Sequence, residues 1–152
     1  MFLTVHAVAG EVLAQSTTSP LTAFIIGFVS HFFVDALPHG DENIAEPKRE
    51  KYIHLLVGLA LVDLCLMLTV QGALIWAGIV PFTLAPFAAA FGAMLPDGLQ
   101  APFFILKNPP ALLRWYKKNH DRFHNFLGIH LGIKWGLVFQ TITLVLLIAA
   151  LR

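Results

Sequence analysis

Long apolar segments separated by short polar ones constrain the fold of this chain more than any other feature. The segments are 2–15, 20–37, 52–70, 73–95 and 129–151. The last two exceed the roughly 20 residues that a helix needs to cross a bilayer. A soluble surface is excluded, because 57% of the residues are hydrophobic and 12% are charged, against about 45–50% and about 25% in soluble domains. The sequence predicts an all-α integral membrane bundle of four to five helices, forming one transmembrane domain over residues 1–152.

The first part of the chain predicts a short helix, a second helix and a loop. Segment 2–15 lacks the positive residues that begin a signal peptide and is too short for a full span. We therefore expect a helix that is re-entrant or tucked among its neighbours. Ser19 and Pro20 are typical of an N-cap and a first helical position. The polar segment 41–51 predicts a loop.

Turn residues divide the second part of the chain. Gln71-Gly72 predicts a tight turn between two spans, and Pro81 and Pro86 predict a kink or a broken helix in the span that follows. Pro96-Asp97-Gly98 is expected to end that span. The stretch Leu112–Phe126 alternates basic and apolar residues and predicts an amphipathic helix.

The basic residues predict an orientation. If the 41–51 loop and the 98–128 segment share one face, that face holds eight of the ten Lys and Arg residues. The positive-inside rule makes it cytoplasmic, and we expect a bacterial inner-membrane protein with its basic loops in the cytoplasm. A net charge of +1 gives no reason to expect a nucleic-acid partner. Membrane lipids are the expected partners, together with further copies of the chain or a larger membrane complex.

Ionisable groups within spans are costly and usually functional. His31 and Asp35 are spaced i, i+4, as are His120 and His124, so each pair shares one helix face. His6 lies about as far before the 17–19 turn as His31 lies after it, so an antiparallel pair brings both to similar depth. Paired ligands from several helices are how bundles build metal sites. Imidazole and carboxylate ligands suit zinc, manganese or iron.

Each of these groups also has an ordinary structural interpretation. Asp97 can simply end a helix, and His120 with His124 can form a solvated basic face at lipid headgroups. His39 can be a loop residue. We expect His54 and His130 to be hydrogen-bonded or interface groups without a ligand role.

Three short motifs resemble the membrane-bound metal-dependent hydrolase family of the YdjM type. They are Ser30–Asp41 with its His-x-x-x-Asp element, Gly92–Asp97 with its Pro-Asp ending, and His120–Asn125 with its paired histidines. That family is distantly similar to zinc-dependent phospholipase C and P1-type nucleases. The resemblance implies ligand roles for five of the six predicted metal ligands, and the depth argument adds His6. The predicted metal ligands are His6, His31, Asp35, Asp97, His120 and His124.

Two functions of different class follow. The first is a hydrolase using a divalent metal, zinc or alternatively manganese, on a phosphoester or lipid headgroup at the cytoplasmic interface; a metal acidifies water to a pKa of about 7. Arg114, Lys117, Lys118 and Arg122 are then the predicted substrate-binding residues. The second is a non-catalytic subunit of a larger complex, or an ion carrier, with a structural His/Asp site. The order of the first two motifs is the reverse of the family's, which keeps this second function open.

Overall fold

The computed structural model describes residues 1–40 and 49–151, and within them the chain forms six α-helices and no strand. The helices are α1 (Leu3–Ala14), α2 (Pro20–Asp35), α3 (Arg49–Trp76), α4 (Leu84–Ile105), α5 (Ala111–His124) and α6 (Ile133–Ala150). By length and composition, α6 and the Val57–Trp76 part of α3 can cross a membrane. Both expose many of their Leu, Ile and Val side chains.

The short helix α1 lies among the other apolar helices. It contacts α2, α3, α4 and α6, while α2 packs mainly against α4, and α5 contacts α2 and α4. Most of α1 is buried. This agrees with the expectation of a helix too short to span and enclosed by its neighbours.

Glycine allows the backbones of α2 and α4 to touch. A Cβ atom on Gly27 of α2 would lie 2.0 Å from the carbonyl oxygen of Ala89, and one on Gly92 of α4 would lie 2.3 Å from that of Phe24. Small residues permit such close approach between apolar helices, where packing must supply the association energy. This contact sets the spacing of the two helices that carry His31, Asp35 and Asp97.

Replacing Gly27 with alanine is expected to destabilise the bundle by about 1–3 kcal/mol or more, because backbone atoms cannot move aside for the new methyl group. Gly58→Ala in α3 is the matched control, since a Cβ atom there meets nothing within 4 Å. Thermal unfolding of both variants in the same detergent measures the difference. Equal melting temperatures would contradict the close packing of α2 on α4.

The two carboxylates deepest in the predicted spans are paired inside the bundle, as expected for such costly groups. Glu11 accepts a hydrogen bond from Gln71 Nε2 at 3.0 Å. Asp63 accepts from the backbone amides of Leu3 at 2.5 Å and Thr4 at 3.3 Å, and from Thr4 Oγ1 at 2.8 Å. Because α1 has no side-chain cap of its own, Asp63 of α3 satisfies its first amides.

The predicted turn at Gln71-Gly72 is wrong. The helix continues to Trp76, and the turn follows it, with Gly78 at a φ of 69°. Gln71 is buried against Glu11 within the bundle. The contact between Gln71 and Glu11 therefore keeps Gln71-Gly72 helical, although the local propensity of this dipeptide favours a turn.

The predicted end of the fourth span at Pro96-Asp97-Gly98 is also wrong. Pro96 and Pro102 lie inside α4, which continues to Ile105. Packing of α4 against α1 and α2 outweighs the local cost of an interior proline, about 3 kcal/mol. Pro81 precedes α4 and Pro86 lies in its first turn, where a missing N–H costs little. The predicted 73–95 span is therefore broken between Trp76 and Leu84, which confirms the break expected from these prolines.

The other helix boundaries lie closer to those predicted from the sequence. The amphipathic stretch forms α5, with His124 as its last residue. The last span was expected from Ile129, but α6 begins at Ile133, after a segment in which Gly128 has a φ of 61°. The predicted 41–51 loop lies largely outside the described residues, and α3 begins at Arg49.

Candidate metal centre

Histidine and aspartate side chains from four helices meet at one end of the bundle. His6 comes from α1, His31 and Asp35 from α2, and Asp97 from α4. The α5 pair completes the group, since His120 Nε2 lies 3.8 Å and His124 Nδ1 lies 2.8 Å from Asp35 Oδ2. All six predicted ligands therefore lie together. Their role as ligands remains a prediction.

Four of these residues form an inner group whose donor atoms converge. His31 Nε2 and His120 Nε2 are 2.9 Å apart. Each lies 3.7 Å from Asp97 Oδ1, and they lie 3.7 and 3.8 Å from Asp35 Oδ2. Zinc bonds of about 2.0–2.1 Å place tetrahedral ligands roughly 3.3 Å apart. The inner group can therefore hold a metal ion after small movements of its side chains.

His6 shows that polar contacts are missing from this cluster. Its side chain is fully buried, and neither ring nitrogen has a hydrogen-bond partner. The ring stacks on His31 with centroids 4.2 Å apart, which confirms the depth argument for this pair. Nε2 lies 3.3 Å from Asp35 Oδ1 and 3.8 Å from Asp97 Oδ2. Leaving a buried polar group unpaired is costly, and a cation beside Nε2 would remove that cost.

A second group of possible ligands shares Asp35. It contains Asp35, His39 and His124. His39 Nε2 lies 3.7 Å from Asp35 Oδ1. The α-amino nitrogen of Met1 also lies 2.7 Å from that oxygen. His39 lies in the segment after α2, and its separation of four residues from Asp35 is the signal in the sequence that could have added it to the candidate ligands.

Hydrogen bonds from the backbone orient two of the histidines. A carbonyl oxygen only accepts, so Nδ1 of His31 donates to Ala93 at 2.8 Å and Nδ1 of His39 donates to Leu37 at 2.6 Å. Nδ1 therefore carries a proton in both rings, and Nε2 is the nitrogen of each ring that lies on the side of Asp35. Such outer hydrogen bonds fix the tautomer of metal-binding histidines.

Gln100 has the corresponding position behind His120. Its amide group lies 3.0 Å from His120 Nδ1 and 3.4 Å from Asp97 Oδ1. With the amide nitrogen facing the ring, His120 donates from Nε2 to His31. Rotation of the amide by 180° presents its oxygen to Nδ1, moves the proton there and leaves Nε2 available to a metal.

A buried glutamine in α6 holds the chain around His39. Gln140 donates to the carbonyl oxygen of His39 at 2.8 Å and accepts from the amide of Phe2 at 2.8 Å. Gly136 lies beside the same carbonyl, which a Cβ atom on it would approach to 2.2 Å. Sequence reasoning missed both residues, although a glutamine inside an apolar span is a signal in its own right.

Burial and the cluster's carboxylates affect the ionisable groups of α5. Burial lowers the pKa of His120, although the charges of Asp35 and Asp97 oppose this effect. The lowered pKa favours the neutral imidazole that a metal requires. Burial, then the charges of Asp97 and Asp35, raises the pKa of Tyr116 to about 12. Tyr116 therefore keeps its proton and donates to the Pro96 carbonyl at 2.9 Å, joining α5 to α4 beside Asp97.

The predicted substrate-binding residues do not line the cluster. Lys117, Lys118 and Arg122 line a separate surface groove. Arg114 donates a hydrogen bond to the carbonyl oxygen of Pro109 beside the start of α5. His54 and His130 are exposed.

Comparison with known proteins found no match. No family model, curated protein or solved structure matches this chain. The arrangement of the side chains therefore carries the functional argument.

Proposed function

We propose that this chain is a membrane-embedded, metal-dependent hydrolase that acts on a phosphoester or lipid headgroup. The observation that supports it is the buried convergence of His31, Asp35, Asp97 and His120 around the unpaired nitrogens of His6. A structure of packed apolar helices has no stability reason to collect so many costly groups at one point. Perturbed, buried groups of this kind are typical of functional sites.

Zinc fits the donor set best, and manganese is the alternative. The inner group offers imidazole nitrogens and carboxylate oxygens, which suit either ion. A divalent ion held there supplies Lewis acidity and activates water for hydrolysis. The chain's own contribution is to keep the histidines in the correct tautomer through Ala93 and Leu37 and to exclude bulk water on all sides but one.

The open side of the cluster is formed by Asp97 and His124. Their side chains are 28% and 18% exposed, whereas His6, His31 and Asp35 are at most 1% exposed. A substrate phosphate therefore approaches from this side. Asp97 is the carboxylate of this open side and is therefore the group that we assign to accept a proton from water. The resemblance to the YdjM-type hydrolases agrees with this assignment and remains part of the proposal.

The alternative is a non-catalytic protein with a structural metal, and one observation favours it. The inner group provides four protein donors, the number found in closed structural zinc sites, whereas catalytic sites keep three donors and an open position. The second group, with Asp35, His39 and His124, provides three. In the hydrolase that we propose, the metal in the inner group keeps one position open to water, and in the alternative all four inner donors bind it.

Metal analysis together with a hydrolysis assay tests the proposal. Purified protein should contain a stoichiometric transition metal, and should hydrolyse at least one member of a panel of phospholipids and soluble phosphoesters. Chelation should abolish the hydrolysis, and zinc or manganese should restore it. A folded, metal-loaded protein without activity across the panel would support the structural-metal alternative.

Membrane topology gives a further prediction. The segment between α4 and α5 lies at the cluster end of the bundle, and the turn between α3 and α4 lies at the other end. In a Cys65→Ser background, cysteines at Asn108 and Phe82, both exposed, should react with an impermeant reagent from opposite sides, with Asn108 cytoplasmic. Labelling of both from the same side would contradict the proposed spans.

A further inference from the structure

A basic groove lies beside α5, outside the metal cluster. Its volume is about 610 Å³. It is lined by Phe103, Lys117, Lys118, Asp121, Arg122 and Asn125. Three cationic side chains and one carboxylate give this lining a net positive charge.

The groove and the cluster are on different faces of α5. Lys118 and Arg122 are each two residues from His120, which places them about 200° around the helix from it. None of the predicted metal ligands lines the groove. A phosphate held by these two side chains therefore does not lie against the histidines.

The charge of the groove is only partly neutralised internally. Lys117 Nζ lies 2.6 Å from Asp121 Oδ2 and 5.3 Å from the ring centroid of Phe103. Lys118 and Arg122 are exposed, form no ion pair within the described part of the chain, and are i, i+4 neighbours on one face. Adjacent Lys and Arg side chains of this kind are well suited to a phosphate, which Arg binds with two hydrogen bonds.

An exposed apolar face adjoins the basic one. Leu112 and Phe126 are each 75% exposed, Trp115 is 62% exposed and Phe123 is 53% exposed. A helix with basic and aromatic residues on neighbouring faces lies in the membrane interface, with its apolar face among the acyl chains. The ligand that matches both faces has a phosphate and a hydrocarbon tail.

We propose that this groove binds the headgroup phosphate of an anionic phospholipid, as an anchoring site separate from the metal centre. The lipid's phosphate contacts Lys118 and Arg122, and its acyl chains lie beside Trp115 and Phe126. The site holds α5 at the membrane surface and so keeps His120 and His124 over the bundle. It does not depend on whether the metal centre is catalytic.

Fluorescence quenching by brominated lipids tests the site. In a Trp76→Phe, Trp135→Phe background, Trp115 is the only tryptophan and reports lipids beside α5. Brominated phosphatidylglycerol should quench Trp115 at a lower mole fraction than brominated phosphatidylcholine. Lys118→Gln and Arg122→Gln should each reduce that preference about fivefold. Lys134→Gln, an exposed lysine at the start of α6, is the matched control and should leave the preference unchanged.

Two further arms separate the alternatives. Millimolar inorganic phosphate should not reduce the preference, and displacement by it would overturn a lipid site in favour of free phosphate. Removing metal with a chelator should leave the preference intact, whereas its loss would show that the groove belongs to the metal centre. Equal quenching by the two lipids in the unmodified groove would also overturn the proposal, whatever the outcome of the hydrolysis assay.

Discussion

Replacing His31 with alanine is expected to reduce bound metal to background. His31 lies at the centre of the inner group, 2.9 Å from His120 Nε2 and 3.7 Å from the nearest oxygens of Asp35 and Asp97. Its ring position is held by the Ala93 carbonyl, which directs Nε2 toward the other three donors. Because changes in outer hydrogen-bond partners alone cost about 10–100-fold in metal affinity, loss of this ligand should cost about a hundredfold or more.

The measurement is the metal-to-protein ratio after gel filtration, with His130→Ala as the control. His130 is exposed and lies outside the cluster, so its replacement removes an imidazole without removing a predicted ligand. Both variants should elute as monodisperse protein. His31→Gln keeps a polar group at the site and separates loss of metal from loss of folding. A folded His31→Ala protein with normal metal content would exclude the inner group as the metal site.

Replacing Asp97 with asparagine is expected to abolish hydrolysis. Asp97 is the most exposed carboxylate of the cluster, at 28%, and an amide cannot accept the proton that hydrolysis releases. General-base catalysis contributes roughly 10²–10⁴-fold to rate, so kcat should fall by at least that much when metal is saturating. Any weakening of metal binding is overcome by titrating the variant with zinc before the assay.

Glu11→Gln is the matched control for this variant. Glu11 is also a buried carboxylate, but it lines a cavity at the other end of the bundle. Exchange of its carboxylate for an amide should leave hydrolysis unchanged. The change is also expected to be tolerated structurally, because the amide oxygen of the new glutamine can still accept the hydrogen bond from Gln71 Nε2. Undiminished activity in Asp97→Asn would show that Asp97 has no role in the mechanism.

The shared carboxylate of Asp35 links the two groups of possible ligands. Its Oδ2 faces His31, His120 and His124, and its Oδ1 faces His6 and His39. Its place as the last residue of α2 explains this position, because His31 lies one helical turn before it and His39 lies in the segment that follows the helix. Replacing Asp35 therefore disturbs both groups at once, which makes it a poorer test of either than His31.

Several features were predictable because they depend on local periodicity or on the free-energy cost of placing a charged group in an apolar environment. The apolar segments, the amphipathic α5 and the two i, i+4 pairs are all visible in the sequence. The high cost of charge in an apolar environment also implies that Glu11 and Asp63 are paired. The antiparallel arrangement about the 17–19 turn brought His6 to the depth of His31.

The errors have one physical origin. Gln71-Gly72 and Pro96-Asp97-Gly98 have strong local turn and breaker signals, but each lies within a helix. In both cases contacts with other helices outweigh a local preference worth about 1–3 kcal/mol. The local preference for a turn or a helix end can be read from the sequence. The contacts that outweigh it cannot, because they join residues far apart in the chain, as Gln71 and Glu11 do.

The sequence by itself determined that this chain builds apolar helices and that its histidines and aspartates are too costly to be incidental, because both conclusions follow from residue chemistry and spacing. Only the tertiary structure decided at what distances these groups meet and which further residues join them. It added His39 through the turn held by Gln140 and Gly136, and it placed Lys118 and Arg122 on another face of α5 from His120. Such distances depend on how helices rotate and pack against one another, and that is set by contacts across the whole bundle.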